Sequence, residues 1–303
     1  QSVLSRDITF LKEYTQTFEP HVQYLYRPYR NQSNIGSTLN NDYLGFGYDS
    51  ALVQQDYYSL FRDRRYSGLD RISSANQVTF GGTTRFYDIA GEERFHLSAG
   101  QIYYLSNSRI DENPANKTPT SSSAWALESN WKISNKWYWR GSYQFDTHTN
   151  STSLANTSLE YNPEKNNLIQ LNYRYANQEY IDQNLGKSAN AYQQDIQQVG
   201  LVVGWEIANN WAVVGRYYQD LALQKPVEQY LGVQYNSCCW AASVGVKRNV
   251  TNHQNQTRNE IVYDNSIGIT LELRGLGSND HQSGIQEMSE KGKLPYIRAF
   301  SLD

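Results

Sequence analysis

Cysteine, methionine and proline are scarce in this chain, and long apolar runs are missing. Its 303 residues include two Cys, one Met and seven Pro. No run approaches the roughly 18 apolar residues of a membrane-crossing helix, and mean hydropathy is low at -0.72. Hydrophobic residues reach only 39%, thin for a soluble domain that must fill a core with Leu, Ile and Val. Positive charge is not in excess either. The formal net charge is -3 and the pI about 6.0, so there is no basic footprint for nucleic acid and none is expected as a partner. No signal peptide opens the chain, and Gln1 therefore reads as a mature or internal start.

Catalytic and metal signatures are also lacking. His21, His96, His148, His253 and His281 stand at no metal-ligand spacing. No G-x-S-x-G elbow or phosphate-binding loop occurs. No metal or cofactor is expected. His148 beside Asp146 is the best catalytic candidate, because i and i+2 share a strand face. Polar pairs at loop edges are commonplace, however, and the chain does not read as an enzyme.

Tyrosine is abundant: there are 25 Tyr and 7 Trp, and aromatics make up 14% of the chain. They alternate with polar residues. From Tyr14 to Tyr26 one face carries Tyr14, Phe18, Val22, Tyr24 and Tyr26, and the other carries Thr15, Thr17, Glu19, His21 and Gln23. Pro20 inside that run marks a bulge, an edge or a weakened pairing. The same two-residue period recurs from Gln77 to Leu273. It predicts about twelve strands of the length a tilted membrane-crossing strand needs. The fold class expected is all-β, an antiparallel transmembrane β-barrel over 1–274. One strand face meets lipid, the other meets water, and Tyr and Trp gather at the membrane interfaces. The inward polar set is Gln77, Arg85, Arg140, Gln144, Glu160, Gln170, Arg174, Arg216, Gln234 and Glu272, read as a wet lumen lining.

Links between the strands alternate short and long. Short turns face the periplasm in outer-membrane barrels and long loops face outside. That rule puts 88–91, 134–135, 162–166, 208–210 and the turn after Asn236 on the periplasmic side. Trp137, Trp205, Trp211 and Trp240 stand beside those turns, where an aromatic girdle belongs. Residues 28–72 are read as a long extracellular loop. Residues 275–303 are read as a periplasmic tail, residues 1–12 as unpatterned, and Ile181 to Ala191 as a polar loop.

Both cysteines, Cys238 and Cys239, sit at the tip of a hairpin whose strands are Leu231–Tyr235 and Trp240–Val246. Neighbouring cysteines rarely bridge one another. Either they are two free thiols, or they form two disulfides to a segment absent from this chain, which requires an oxidising compartment.

Several stretches together resemble the LptD family, the lipopolysaccharide-assembly proteins of Gram-negative outer membranes. They are Leu60-Phe-Arg-Asp-Arg64, Tyr66 to Gln77, Gln170-Leu-Asn-Tyr-Arg-Tyr-Ala176, Leu231-Gly-Val-Gln-Tyr-Asn-Ser-Cys-Cys239 and Ile269-Thr-Leu-Glu-Leu-Arg-Gly-Leu276. The resemblance covers nearly the whole chain, and the Cys-Cys hairpin is its most specific part. It implies an outer-membrane location and a periplasmic jelly roll followed by a barrel of about 26 strands, of which this chain holds the C-terminal part. It implies the lipoprotein LptE as a plug, the periplasmic LptA bridge reached through the jelly roll, outer-membrane lipids as surroundings and lipopolysaccharide as substrate. Acyl chains leave by a lateral seam between first and last strands, and the sugars pass through the lumen. Cys238 and Cys239 then carry two disulfides to the absent jelly roll. The seam strand is the one with Ile261, Tyr263, Ile267, Ile269, Leu271 and Leu273. Two alternatives compete. A self-closed, passive porin-like channel of about twelve strands requires the strand of Leu273 to pair with that of Tyr14. A soluble β-sandwich requires the apolar faces to pack on each other.

Overall fold

Alternation becomes a ladder in the computed structural model, which describes residues 3–7, 14–30, 38–39, 42–43, 56–64, 72–107, 121–164, 167–185, 195–250 and 263–273. Thirteen strands form one all-antiparallel sheet. They are β1 Leu4–Asp7, β2 Thr15–Arg27, β5 Ala75–Tyr87, β6 Glu93–Tyr104, β7 Trp125–Lys132, β8 Trp137–Asp146, β9 Ser151–Tyr161, β10 Leu168–Ala176, β11 Ile196–Ala208, β12 Trp211–Asp220, β13 Lys225–Asn236, β14 Trp240–Val250 and β15 Tyr263–Leu273. Each lies beside its sequence neighbour, with β2 beside β5. Between those two strands fall a two-stranded ribbon, β3 Thr38–Leu39 with β4 Asp42–Tyr43, and a 3-10 turn at Ser59–Phe61. No described helix is long and apolar enough to cross a membrane, which leaves crossing by strands open.

The chain divides into two compact units. In the first, β2 and β5 pair without a register shift from Thr15↔Tyr87 to Arg27↔Ala75. β1 pairs with β2 only as far as Leu4↔Phe18. From Glu19 onward β5 is therefore the only described ladder partner of β2. Pro20 sits in that half-paired stretch, opposite Gly82 of β5, at the kind of edge position where proline is tolerated. The strand β1 falls within residues expected to be unpatterned. Four residues are too few to display a two-residue period.

In the second unit, β10 to β15 form a meander. Glycines Gly232, Gly245 and Gly268 lie side by side across β13, β14 and β15. The Tyr230 ring lies flat over the first two; its hydroxyl is 2.5 Å from where a Cβ on either would stand. The stretch expected to be a polar loop from Ile181 instead contains helix α1, Gln178–Leu185. Asn177 caps it by accepting a hydrogen bond from the Tyr180 N–H at 2.8 Å. Asp195 receives the Gln178 N–H at 2.9 Å and the Tyr175 hydroxyl at 2.9 Å, and so ties the helix start to β10.

Side-chain burial is inverted relative to a soluble protein. About half of the buried residues are polar, among them Thr79, Thr83, His96, Ser98, Gln144, Asn156, Ser158, Glu160, Gln170, Asn172 and Gln234. Leu171 on β10 and Leu231 on β13 alternate with them and are exposed, and so are Val22 and Tyr24 on β2, Val244 on β14 and Ile269 on β15. A soluble sandwich would hide those aliphatics against one another, and here they are bare. Strand pairing likewise runs β14 to β15 and β1 to β2 to β5. A ladder between the strands of Leu273 and Tyr14 is not among the described pairings.

The link lengths are less regular than the rule of alternation. Links 88–92, 133–136, 162–167, 209–210 and 237–239 are short, as expected, but 147–150 and 221–224 are also tight. The latter two turn through Asn150 and Gln224 at positive φ, 50° and 55°.

Candidate functional site

The polar face in the first unit is wired by ion pairs. Arg85 Nε lies 3.0 Å from Glu19 Oε1 and Arg85 Nη1 2.8 Å from Glu93 Oε2, so one guanidinium ties β2, β5 and β6 together. Glu93 also meets His96 Nδ1, and His96 Nε2 reaches Asn130 on β7 at 3.3 Å. Part of the segment expected to be an extracellular loop packs on this same face. Tyr57 and Leu60 are buried, and Leu60 joins Ile102 and Ala126 in a small core flanked by Phe61 and Tyr104. Thr79 donates to the Leu60 carbonyl at 3.2 Å, Thr83 to the Tyr57 hydroxyl at 3.2 Å, and His21 stacks on Phe61 at 4.0 Å. Arg27 donates to the Asp63 carbonyl. Gly81 and Gly100, which face each other on β5 and β6, make the room; a Cβ on either would press on Tyr57.

In the second unit Arg174 lies over the Tyr218 ring at 4.8 Å, and Arg216 over Tyr230 at 5.4 Å with Glu228 at 3.7 Å. Gln170 Oε1, Asn172 Oδ1 and Gln234 Oε1 are buried without a hydrogen-bond partner in the structure. Of the remaining polar positions singled out in the sequence, Gln77 and Arg140 are half-buried, Gln144 and Glu160 buried. The side chain of Glu272, like Ile261 and the tail 275–303, lies outside the described residues.

The hairpin tip is built on aromatics. Trp211, Tyr235 and Trp240 pack in sequence, the first pair edge-on and the second tilted, with ring centroids 5.0 and 5.1 Å apart. The Ser237 N–H closes the turn onto the Trp240 carbonyl at 2.8 Å. Cys238 and Cys239 project from it, both exposed and both free. They stand in the turn rather than on a strand, so they do not point to opposite faces. Their sulfurs are 2.8 Å apart, against about 2.05 Å for a disulfide. A hydrogen bond from the Cys239 thiol, then one from Ser237, holds the Cys238 thiol below its ordinary pKa, while the same contact pushes Cys239 up.

A Ser–His–Asp arrangement does form at the β8–β9 turn. His148 Nδ1 is 3.3 Å from Asp146 Oδ1, and His148 Nε2 is 3.3 Å from Ser121 Oγ. Both distances are long for a working triad. The Asp146 oxygen already accepts the His148 N–H at 2.7 Å, the mark of a local turn. Among the described residues no cluster of three metal-ligating side chains occurs.

The family model for LptD, LPS transport system D, matches residues 1–211. The chain belongs to the LptD family. Over 303 residues it is 99% identical to the LPS-assembly protein LptD of Haemophilus influenzae strain Rd, and over 304 residues 66% identical to that of Histophilus somni. All of this chain is covered in each case, but only 39% of the relative's length. Among solved structures, the toluene transporter TodX of P. putida aligns over 86% of this chain and 78% of its own at 8% identity, with a TM-score of 0.28. That likeness is too weak to bear on function. Membership of the LptD family, with the extensive antiparallel sheet, makes this a multi-pass β-barrel chain of the cell outer membrane.

Proposed function

We propose that the chain is the C-terminal part of an outer-membrane translocon that inserts lipopolysaccharide into the outer leaflet. The observation that carries this reading is the inverted burial: aliphatic and aromatic side chains lie bare on one strand face, polar ones buried on the other. Lipopolysaccharide is amphipathic and no single solvent suits it. A wall that is greasy outside and wet inside offers hydrocarbon to acyl chains and water to sugars. The lumen side is then the face of Gln77, Arg85, Arg140, Gln144, Glu160, Gln170, Arg174, Arg216, Gln234 and Glu272. The seam strand is β15, and it opens against a strand supplied by the rest of a barrel of about 26 strands. Parting a fully bonded ladder in lipid is expensive, so the seam works only where pairing is short or interrupted. LptE fills the lumen, and the jelly roll receives substrate from the LptA bridge. Cys238 and Cys239, exposed at the hairpin tip, bond to that jelly roll and fix it beneath the barrel.

Changing Cys238 and Cys239 together to Ser in the full-length protein tests this. The expected result is loss of the mobility difference between reduced and non-reduced gels, together with a fall in surface lipopolysaccharide. Survival of both would overturn the role given to the cysteines.

A further inference from the structure

Five strands of the second unit, β11 to β15, share one apolar face. Register aligns Val203, Gly215, Leu231, Val246 and Ile267 in a single cross-strand row. The next row is Leu201, Tyr217, Gln229, Arg248 and Asn265. Gly215 leaves a notch in the first row, since a Cβ there would meet nothing closer than the Tyr230 carbonyl oxygen at 3.9 Å. A depression of about 640 Å³ surrounds the notch, within the range of small-ligand sites.

At the rim stands Arg248, the lone charged side chain among the positions these strands turn to that face. It is held in place: its guanidinium lies 4.1 Å from the Tyr263 ring centroid, and the Tyr263 hydroxyl is fixed by the Pro226 carbonyl at 3.0 Å. Among the described residues no carboxylate pairs with it. Gln229 and Asn265 flank it in the same row. Arg248 lies near the end of β14 remote from the cysteine turn, which puts it at the outer leaflet if short turns face the periplasm.

We propose that this depression is a docking site for a phosphorylated, multiply acylated glycolipid of the outer leaflet. Arg248 takes a phosphate, the Gln229 and Asn265 amides take sugar hydroxyls, and an acyl chain lies in the Gly215 notch. The site borders β15, so lipid leaving along that strand meets it first. The proposal rests on the reading that this face meets lipid. An arginine that merely reaches up to the interface from an apolar wall would need neither the notch nor a preference among lipids.

The test uses full-length protein purified in detergent with its copurifying partners, titrated with bisphosphorylated lipid A. Arg248→Gln should weaken binding at least about fivefold through loss of one charge-assisted contact, and Gly215→Leu should weaken it by filling the notch. Lipid A stripped of phosphate should bind wild type as poorly as lipid A binds R248Q, and phosphatidylglycerol should show no dependence on Arg248. Lys136→Gln, in the link between β7 and β8 and outside the lining of the depression, should leave binding intact. Equal binding by wild type, R248Q and G215L, or the same arginine dependence for phosphatidylglycerol, overturns the site. Val244→Trp separates the two readings. Quenching of that tryptophan by brominated acyl chains, with lipid A binding unmoved by R248Q, removes the site alone. No quenching removes the lipid-facing reading and the site with it.

Discussion

Gly81 and Gly100 face each other across the β5–β6 ladder, and the Tyr57 ring lies over both. A Cβ on Gly81 would stand 3.0 Å from Tyr57 Cε2, 3.0 Å from Phe61 Cζ and 2.9 Å from the Ala99 carbonyl oxygen. Gly81→Val should therefore lift the segment around Tyr57 off the sheet, at a cost of about 1–3 kcal/mol of packing. Trypsin should then cut faster after Arg62 and Arg64. Gly268→Ala, whose Cβ meets nothing within 4 Å, should leave the cutting rate unchanged.

Arg85 is the one cation between Glu19 and Glu93. Arg85→Met should leave two half-buried carboxylates facing each other, a loss of roughly 1–3 kcal/mol after allowing for partial solvent screening. The temperature at which the folded form is lost on semi-native gels should fall. Adding Glu93→Gln to Arg85→Met should restore part of it, since one of the stranded charges is then gone.

The Asp88 turn should respond to acid. The Glu92 N–H and the Arg94 guanidinium, with the Ala90 N–H, hold its carboxyl below the usual carboxylate range. A depressed folded-state pKa adds stability above the unfolded value and loses it as pH falls through the folded one. The acid-side slope of thermal stability, measured below about pH 4, should therefore be shallower in Asp88→Asn than in wild type. An unchanged slope would show that the turn does not contribute.

The two thiols should not react alike. Cys238 is the more acidic of the pair, and the thiolate is the nucleophile. After full reduction, a substoichiometric maleimide at neutral pH should label Cys238 ahead of Cys239 in peptide maps. In Ser237→Ala, which removes one of the hydrogen bonds to the Cys238 sulfur, the preference should narrow.

Strands were legible wherever eight or more residues kept the two-residue period, as in β5 or β11, because a sheet with two unlike faces writes that period into its longer strands. The elements missed are those without it. β1 is too short. Helix α1 is polar, yet Asn177 with Glu179 in the first turn is an N-terminal cap signal that could have been read. Packing of Tyr57 and Leu60 had no periodic trace, since loop residues obey no face rule. The available clue was indirect: two glycines on the polar face of neighbouring strands mark a close approach by something bulky. The cysteine tip was legible as a hairpin, but the nearness of its two sulfurs was not, because a turn rotates successive side chains in a way a strand does not.

Tyr230 lies across backbone that carries no side chains, over Gly232 and Gly245 with Gly268 beyond. Turn that one ring aside and a strip three strands wide becomes smooth peptide. Relief there is set by a single χ1 rather than by a thicket of rotamers. Any long polymer drawn along it would have few side chains to push out of the way.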